Sequence, residues 1–212
     1  MKVKITLIAL ILLNTVVYAQ KTKKVTNKND YPSFKETYYV LKSDKQTKHG
    51  SYQKEIRGRV VKQGQYKNGV KTGIWEYYDQ NENVVHKVSI ENDSILYDKS
   101  ANENTEFDRE KYSRPLIVLG GMGSLYQQIG NALRYPSDAR RKGTQGKVLV
   151  QIAINNLGKV EDVKVYESIG DGLDEEAVRV MKLIDIEFLP ALDLKGIPVK
   201  SDLVLPITFK LG

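Results

Sequence analysis

The sequence contains no cysteine, only two histidines and a single tryptophan among its 212 residues. Without cysteine, the chain cannot carry a disulfide or the acylated first residue of a lipoprotein, so its stability must come from packing. Long apolar runs are also scarce. The uncharged N-terminal stretch from Ile5 to Ala19 falls short of the roughly 20 residues that span a bilayer. With 41% hydrophobic residues, the chain is neither a polytopic membrane protein nor wholly disordered.

Residues that build catalytic or metal sites are few and poorly placed. His49 and His86 have no second ligand at metal-binding spacing, and no Ser-His-Asp order fits them. The turn Gly120–Gly123 lacks the third small residue of a dinucleotide-binding fingerprint and the Gly-Lys-Ser/Thr of a P-loop. The acidic residues 174–176 lie in the first turn of a predicted helix, where negative charge is stabilising and adjacent side chains point apart. We predict no enzymatic activity, no cofactor and no metal.

The formal charge is +7, and the part of the chain after Lys2 and Lys4 retains +5. Basic clusters occur at Lys21, Lys23 and Lys24 and at residues 140–142. Such clusters can contact nucleic acid or anionic membrane surfaces. Surface charge that simply keeps the protein soluble is the favoured explanation. No nucleic-acid partner is predicted, because the N-terminus indicates export.

The N-terminus has the pattern of a secretory signal. Lys2 and Lys4 precede the apolar run, and Val17–Ala19 places small residues where signal peptidase reads them. We predict that residues 1–19 are a signal peptide and that the mature chain is exported. The alternative is a retained anchor, with the protein on the inner membrane facing the periplasm.

The rest of the chain divides by composition into four segments. Residues 20–36 are polar and lack an apolar period, which predicts a mobile leader with order beginning near Thr37. Residues 37–97 alternate short apolar or aromatic runs with turn signals, the pattern of an antiparallel meander. Residues 98–113 are again polar and read as a linker. Residues 114–212 form the last predicted domain.

The meander carries an internal repeat. His49–Tyr52 recurs as Thr72–Trp75, and Asn68-Gly69 between the units is the strongest short signal for a β-hairpin. Each unit is therefore predicted to be one hairpin, and the repeats resemble MORN-like repeats of exported bacterial proteins. Trp75 and the tyrosines at 77 and 78 offer either a stacking platform for a ligand or a buried core, and hairpin alternation favours the core.

Helical signals appear in the C-terminal domain. Ser124 and Gln127 form a capping-box pattern that predicts the start of a first helix. Pro136 suits the first turn of a short second helix over Ser137–Lys142. A longer helix is predicted from about Leu173, with its apolar residues on one face.

Strand signals interleave with these helices. Residues 147–154 alternate apolar and polar, Gly158 supplies a turn, and residues 163–165 return on a partner strand. The chain ends on a strand, Leu203–Phe209, whose odd-numbered residues share one apolar face. The predicted class is α+β.

A series of short motifs from residue 114 onward carries a family resemblance. They are Arg114-Pro115, Gly120-Gly121, Tyr135-Pro136, Ala139-Arg140, Gly143, Gln145–Val148, Asn156-x-Gly158-Lys159-Val160, Asp162-Val163, Leu173-Asp174-x-x-Ala177, Phe188-x-Pro190-Ala191 and Leu205-Pro206-Ile207-x-Phe209. In order and spacing they resemble the TonB C-terminal domain, most closely its Bacteroidetes-type version. Tyr135, Pro136, Gly146 and Asp174 are motif positions. The resemblance implies a three-stranded antiparallel sheet that is packed by two main helices. It also implies that the exposed edge of this sheet captures the Ton box of an outer-membrane transporter.

Pro206 indicates where a partner would bind. Proline has no N–H, so a strand tolerates it only where that group would face away from a paired neighbour. Backbone groups alternate sides along a strand. We therefore predict that Leu205 and Ile207 bond inward, whereas Val204 and Thr208 pair with a partner strand added outside Pro206.

Two functional hypotheses follow. The first is a periplasmic TonB-like protein that binds an outer-membrane transporter, or another protein with a free β-edge, in TonB-dependent transport. The alternative is a secreted or periplasmic repeat scaffold, in which the meander is the working surface and the TonB-like domain is a docking module without energy coupling. A cleaved signal would leave no direct contact with an inner-membrane motor.

Overall fold

A computed structural model describes residues 20–92, 94–99 and 108–212. The predicted signal peptide and residues 100–107 of the predicted linker lie outside the described residues. Within the described part, no helix is long and apolar enough to cross a membrane.

The N-terminal part is one antiparallel sheet of seven strands in chain order. The strands are β1 (Thr22–Asp30), β2 (Ser33–Leu41), β3 (Lys48–Ile56), β4 (Arg59–Lys67), β5 (Val70–Tyr78), β6 (Val84–Ser89) and β7 (Ser94–Asp98). Asn68 and Gly69 both have positive φ between β4 and β5, as the Asn-Gly signal predicts. The predicted meander is confirmed, and its identity as MORN-like repeats stays a prediction.

The predicted mobile leader differs from the structure, because residues 22–30 form β1. This strand pairs with β2 over its whole length, and backbone hydrogen bonds do not require apolar side chains at an exposed edge. The turn after β1 is also held, since the Tyr31 hydroxyl donates to the Ala132 carbonyl and the Arg134 guanidinium lies 3.9 Å from the Tyr31 ring centroid. The sheet therefore begins near residue 22 rather than at Thr37.

The C-terminal part mixes helices with three small sheets. Its elements are β8 (Tyr112–Arg114), β9 (Ile117–Val118), α1 (Gly121–Ala132), α2 (Ser137–Lys142), β10 (Gly146–Ile154), β11 (Val160–Glu167), α3 (Leu173–Leu183), β12 (Phe188–Leu189), β13 (Ala191–Asp193), β14 (Pro198–Val199) and β15 (Ser201–Phe209). The main sheet has the antiparallel order β11-β10-β15, β12 pairs with β9, and β13 lies between β14 and β8. The ends of the predicted linker belong to strands β7 and β8.

The C-terminal core lies between one face of the main sheet and the helices. Strand alternation on β10 buries every second residue, α1 contributes its apolar stripe, and α3 contributes a second one. The fully buried members include Val148, Val150, Ile152, Leu125, Ala132, Leu173, Ala177 and Val180. Helix α3 begins at Leu173 and α2 spans Ser137–Lys142, as the sequence predicted.

The predicted capping box at Ser124 and Gln127 is wrong. Helix α1 begins at Gly121, its N-cap is Gly120 with φ of 90°, and no side chain caps it. Ser124 is buried inside the helix. Two consecutive glycines with positive φ turn the chain into the helix earlier than the serine could, because glycine adopts this conformation without steric cost.

The two parts of the chain share a second apolar cluster. Tyr52, Trp75 and Tyr77 of the meander are buried together with Leu189 of β12, and Ile117 of β9 packs against them. Trp75 has no exposed surface, so its prediction as a core residue is confirmed. The short β9–β12 pair of the C-terminal part therefore packs against the meander and covers this apolar cluster.

Candidate functional site

Strand β15 forms one edge of the main sheet. It pairs with β10 over nine residues, from Gly146 opposite Phe209 to Ile154 opposite Ser201, without a register shift. Among the described residues, no strand pairs with its other side. Its outer backbone groups are thus available to a further strand, which is the arrangement that β-augmentation requires.

The side chains of β15 alternate strictly between core and solvent. Leu205 and Ile207 are buried, as is Phe209, whereas Val204, Pro206 and Thr208 are exposed. Pro206 lies opposite Leu149 within the continuous register. The buried side chains anchor the strand, and the exposed ones line the surface beside its free edge.

The motif residues Tyr135 and Gly146 both contact Phe209 at the C-terminal end of β15. The Tyr135 ring meets the Phe209 ring edge-on, with centroids 5.9 Å apart, and its hydroxyl donates to the Thr144 carbonyl at 2.5 Å. Gly146 begins β10 with φ of 151° and pairs with Phe209. These residues fix the end of the edge strand and do not themselves face a partner.

Pro136 and Asp174 shape the loops around the helices. Pro136 is the N-cap of α2. The Asp174 carboxylate accepts hydrogen bonds from the N–H groups of Ile169 at 3.0 Å and Gly170 at 3.1 Å, and from the Ser168 hydroxyl. This carboxylate satisfies backbone donors ahead of α3, so its role in this fold is structural.

A cluster of charges joins the meander to the C-terminal part, and the sequence analysis missed it. We call Lys54, Lys62, Lys71, Asp185 and Glu187 the interface cluster. Lys54 and Lys62 both lie within 2.7 Å of the Asp185 carboxylate, and Lys62 and Lys71 lie 2.8 and 2.6 Å from Glu187. Both Lys54 and Lys62 are buried. Strand alternation could have revealed Lys54, which stands between two inward-facing apolar positions of β3.

Neighbouring opposite charges shift pKa values within the interface cluster. Burial alone would raise the pKa of Glu187, but Lys62 and Lys71 lower it to about 2. Burial likewise opposes ionisation of Asp185, yet Lys62 and Lys54 hold its pKa below the usual value. For Lys62, burial is outweighed by the two carboxylates, which raise its pKa. Asp185, Glu187 and Lys62 are therefore charged at neutral pH, and their ion pairs join the meander to the C-terminal part.

His86 forms another link between the parts. Its Nδ1 accepts the Gly120 N–H at 3.1 Å, and its Nε2 lies 3.1 Å from the Asp98 carboxylate. Burial lowers the pKa of His86 despite the attraction of Asp98. The histidine thus connects β6 to the start of α1 as a neutral ring, which is a structural role. Within the described residues, no group of three or more His, Asp or Glu could hold a metal ion.

Comparison with known proteins concerns the C-terminal part. Residues 131–211 match the family model described as Gram-negative bacterial TonB protein C-terminal. A search of curated proteins found no match, and a search of solved structures found none. The matched region runs from the end of α1 through β15, so it contains the main sheet and excludes the meander. It supports the TonB C-terminal family for this part of the chain.

Proposed function

We propose that the chain is a periplasmic TonB-like protein that binds an outer-membrane transporter, or another protein with an exposed β-segment, by strand addition to β15. The family match supports a transport-related binding role, because TonB proteins act by binding and energy transduction rather than catalysis. The observation that carries the proposal is the unpaired outer side of β15 within the described residues.

The proposed register of binding rests on Pro206. An unbroken ladder to β10 on both sides of Pro206 supports a pairing in which its missing donor faces outward. The outward amides on either side then belong to Val204 and Thr208. A partner strand would bond to these two residues and place no acceptor opposite Pro206.

The test compares proline at two neighbouring positions of β15. Thr208→Pro removes an outward N–H donor and should leave the fold intact. Because the partner strand then loses one hydrogen bond of about 1 kcal/mol, binding of a Ton-box peptide should weaken roughly fivefold. Ile207→Pro removes an inward ladder bond and a buried side chain, so it should lower the melting temperature. Peptide affinity is measured by calorimetry, and folding by circular dichroism.

Thr208→Ala is the matched control, because it removes the side chain but retains the N–H. It should bind like the wild type. If folded Thr208→Pro binds the peptide as tightly as Thr208→Ala, strand addition at this edge is wrong.

A further inference from the structure

The positive charge of the protein is concentrated at one end of the meander. Residues 20–48 hold eight lysines against three acidic residues and therefore account for +5, whereas residues 49–212 are neutral in sum. No arginine occurs in residues 20–48. The excess charge of the chain outside Lys2 and Lys4 thus belongs to β1, β2, the loop after β2 and Lys48 at the start of β3.

Six of these lysines are exposed and share the free edge of the seven-stranded sheet. We call them the lysine edge: Lys21, Lys23, Lys24, Lys28, Lys42 and Lys45. The first four lie in β1 or directly before it, and the Lys42 N–H donates to the Lys21 carbonyl at 2.8 Å, which brings the loop lysines beside them. Since β1 has nine residues, the edge is about 30 Å long.

No lysine of the lysine edge has an ion-pair partner or lies over an aromatic ring among the described residues, whereas the other two lysines of residues 20–48 each have one such contact. Lys35 is 2.7 Å from Glu55, and Lys48 lies 4.6 Å from the ring centroid of Tyr38. The charges of the lysine edge are therefore not neutralised within the described fold.

The chemistry of the lysine edge fits an anionic membrane surface better than a protein or a nucleic acid. None of the exposed large hydrophobic residues falls in residues 20–48. Specific protein interfaces are enriched in aromatic residues and arginine and depleted in lysine, and single-stranded nucleic acids need aromatic stacking platforms. Lysines near a surface of anionic headgroups, in contrast, bind additively without shape recognition.

We propose that the lysine edge is a docking surface for anionic lipid headgroups. It lies on a different sheet from β15, so partner capture and membrane contact use separate surfaces. The competing explanation is that lysines only protect an edge strand from pairing with another chain.

The test is vesicle co-sedimentation of the full chain. Vesicles of phosphatidylcholine are compared with vesicles that contain roughly one-third phosphatidylglycerol, and the measured quantity is the ratio of the two partition coefficients. This ratio cancels any apolar contribution of the N-terminal residues. For the wild type it should be large at low salt and fall at about 0.15 M salt, where the Debye length is near 8 Å.

Three triple variants with the same loss of charge distinguish binding at a localised surface from attraction by the net charge of the whole protein. The first is Lys23→Gln/Lys24→Gln/Lys28→Gln, the second is Lys21→Gln/Lys42→Gln/Lys45→Gln, and the control is Lys67→Gln/Lys164→Gln/Lys195→Gln, whose lysines are also exposed. Each lysine near an anionic surface raises the partition coefficient about fivefold, so loss of three lysines should lower the ratio of partition coefficients roughly 100-fold in each edge variant. The control should change the ratio only a few fold. Circular dichroism and gel filtration confirm that each variant is folded and monodisperse.

Three results would overturn the proposal. The wild-type ratio could be close to one, the control could lose as much as the edge variants, or the edge variants could aggregate while their monomeric fraction keeps the wild-type ratio. The last result would establish edge protection instead.

Discussion

Gly64 and Trp75 provide a sharp test of the packing inside the meander. A Cβ placed on Gly64 would lie 2.4 Å from Cδ2 and Cε2 of the Trp75 ring. The ring cannot withdraw easily, because it has no exposed surface and its centroid lies 5.4 Å from that of Tyr52 and 5.3 Å from that of Tyr66. Gly64→Ala should therefore cost about 1–3 kcal/mol through overpacking, and Trp75→Ala about 3–5 kcal/mol through a cavity.

The double variant shows whether these two costs share one contact. With the indole removed, the alanine methyl enters the vacated space, so the cost of Gly64→Ala should vanish, and the coupling should be about 1–3 kcal/mol. Unfolding by urea is followed by far-ultraviolet circular dichroism, since Trp75 is the only tryptophan. Gly123→Ala is the control, because an added Cβ there meets nothing within 4 Å. Costs that add to within about 0.5 kcal/mol would refute the contact.

Two further predictions concern the interface cluster and the support of β15. The pKa of Glu187 is about 2 in the folded protein and about 4.3 when unfolded, so the ionised carboxylate stabilises the fold above pH ~4.5 and this stabilisation is lost as the pH falls toward 2. Glu187→Gln should therefore weaken the dependence of the free energy of unfolding on pH in this range, measured by circular dichroism. An unchanged pH dependence would contradict this prediction. Tyr135→Phe keeps the ring on Phe209 but loses the bond to the Thr144 carbonyl, so thermal melting should show a loss of about 0.5–1.5 kcal/mol. A melting temperature equal to that of the wild type would show that this hydrogen bond does not stabilise the fold.

Local signals predicted much of the C-terminal fold. The alternation in residues 147–154 and the apolar spacing after Leu173 indicated β10 and α3, because period-2 and period-3.6 patterns reflect which side chains one face can bury. Pro136 marked the start of α2 for an equally local reason. The edge site was proposed from Pro206 alone, since a missing N–H limits a strand whatever its surroundings, and that site stays a prediction.

The sequence misled where a contact is made between distant residues. The lack of an apolar period in residues 20–36 indicated a leader, although β1 is held by backbone pairing and by Tyr31 on the C-terminal part. The pattern at Ser124 indicated a helix start, although the positive φ of Gly120 moves it to Gly121. Neither outcome can be read from side-chain pattern, because backbone pairing and left-handed turns do not depend on apolar periodicity.

The sequence by itself determined the α+β class, the meander, the helices after Pro136 and the alternating faces of β15, because each depends on residues close together in the chain. Only the tertiary structure decided that Lys62 meets Asp185 and Glu187. The tertiary structure also decided that the lysines of β1 lie next to those of the loop after β2, at the free edge of the sheet. These features join residues that are remote in sequence, and their proximity follows from how sheets and helices pack rather than from any local pattern.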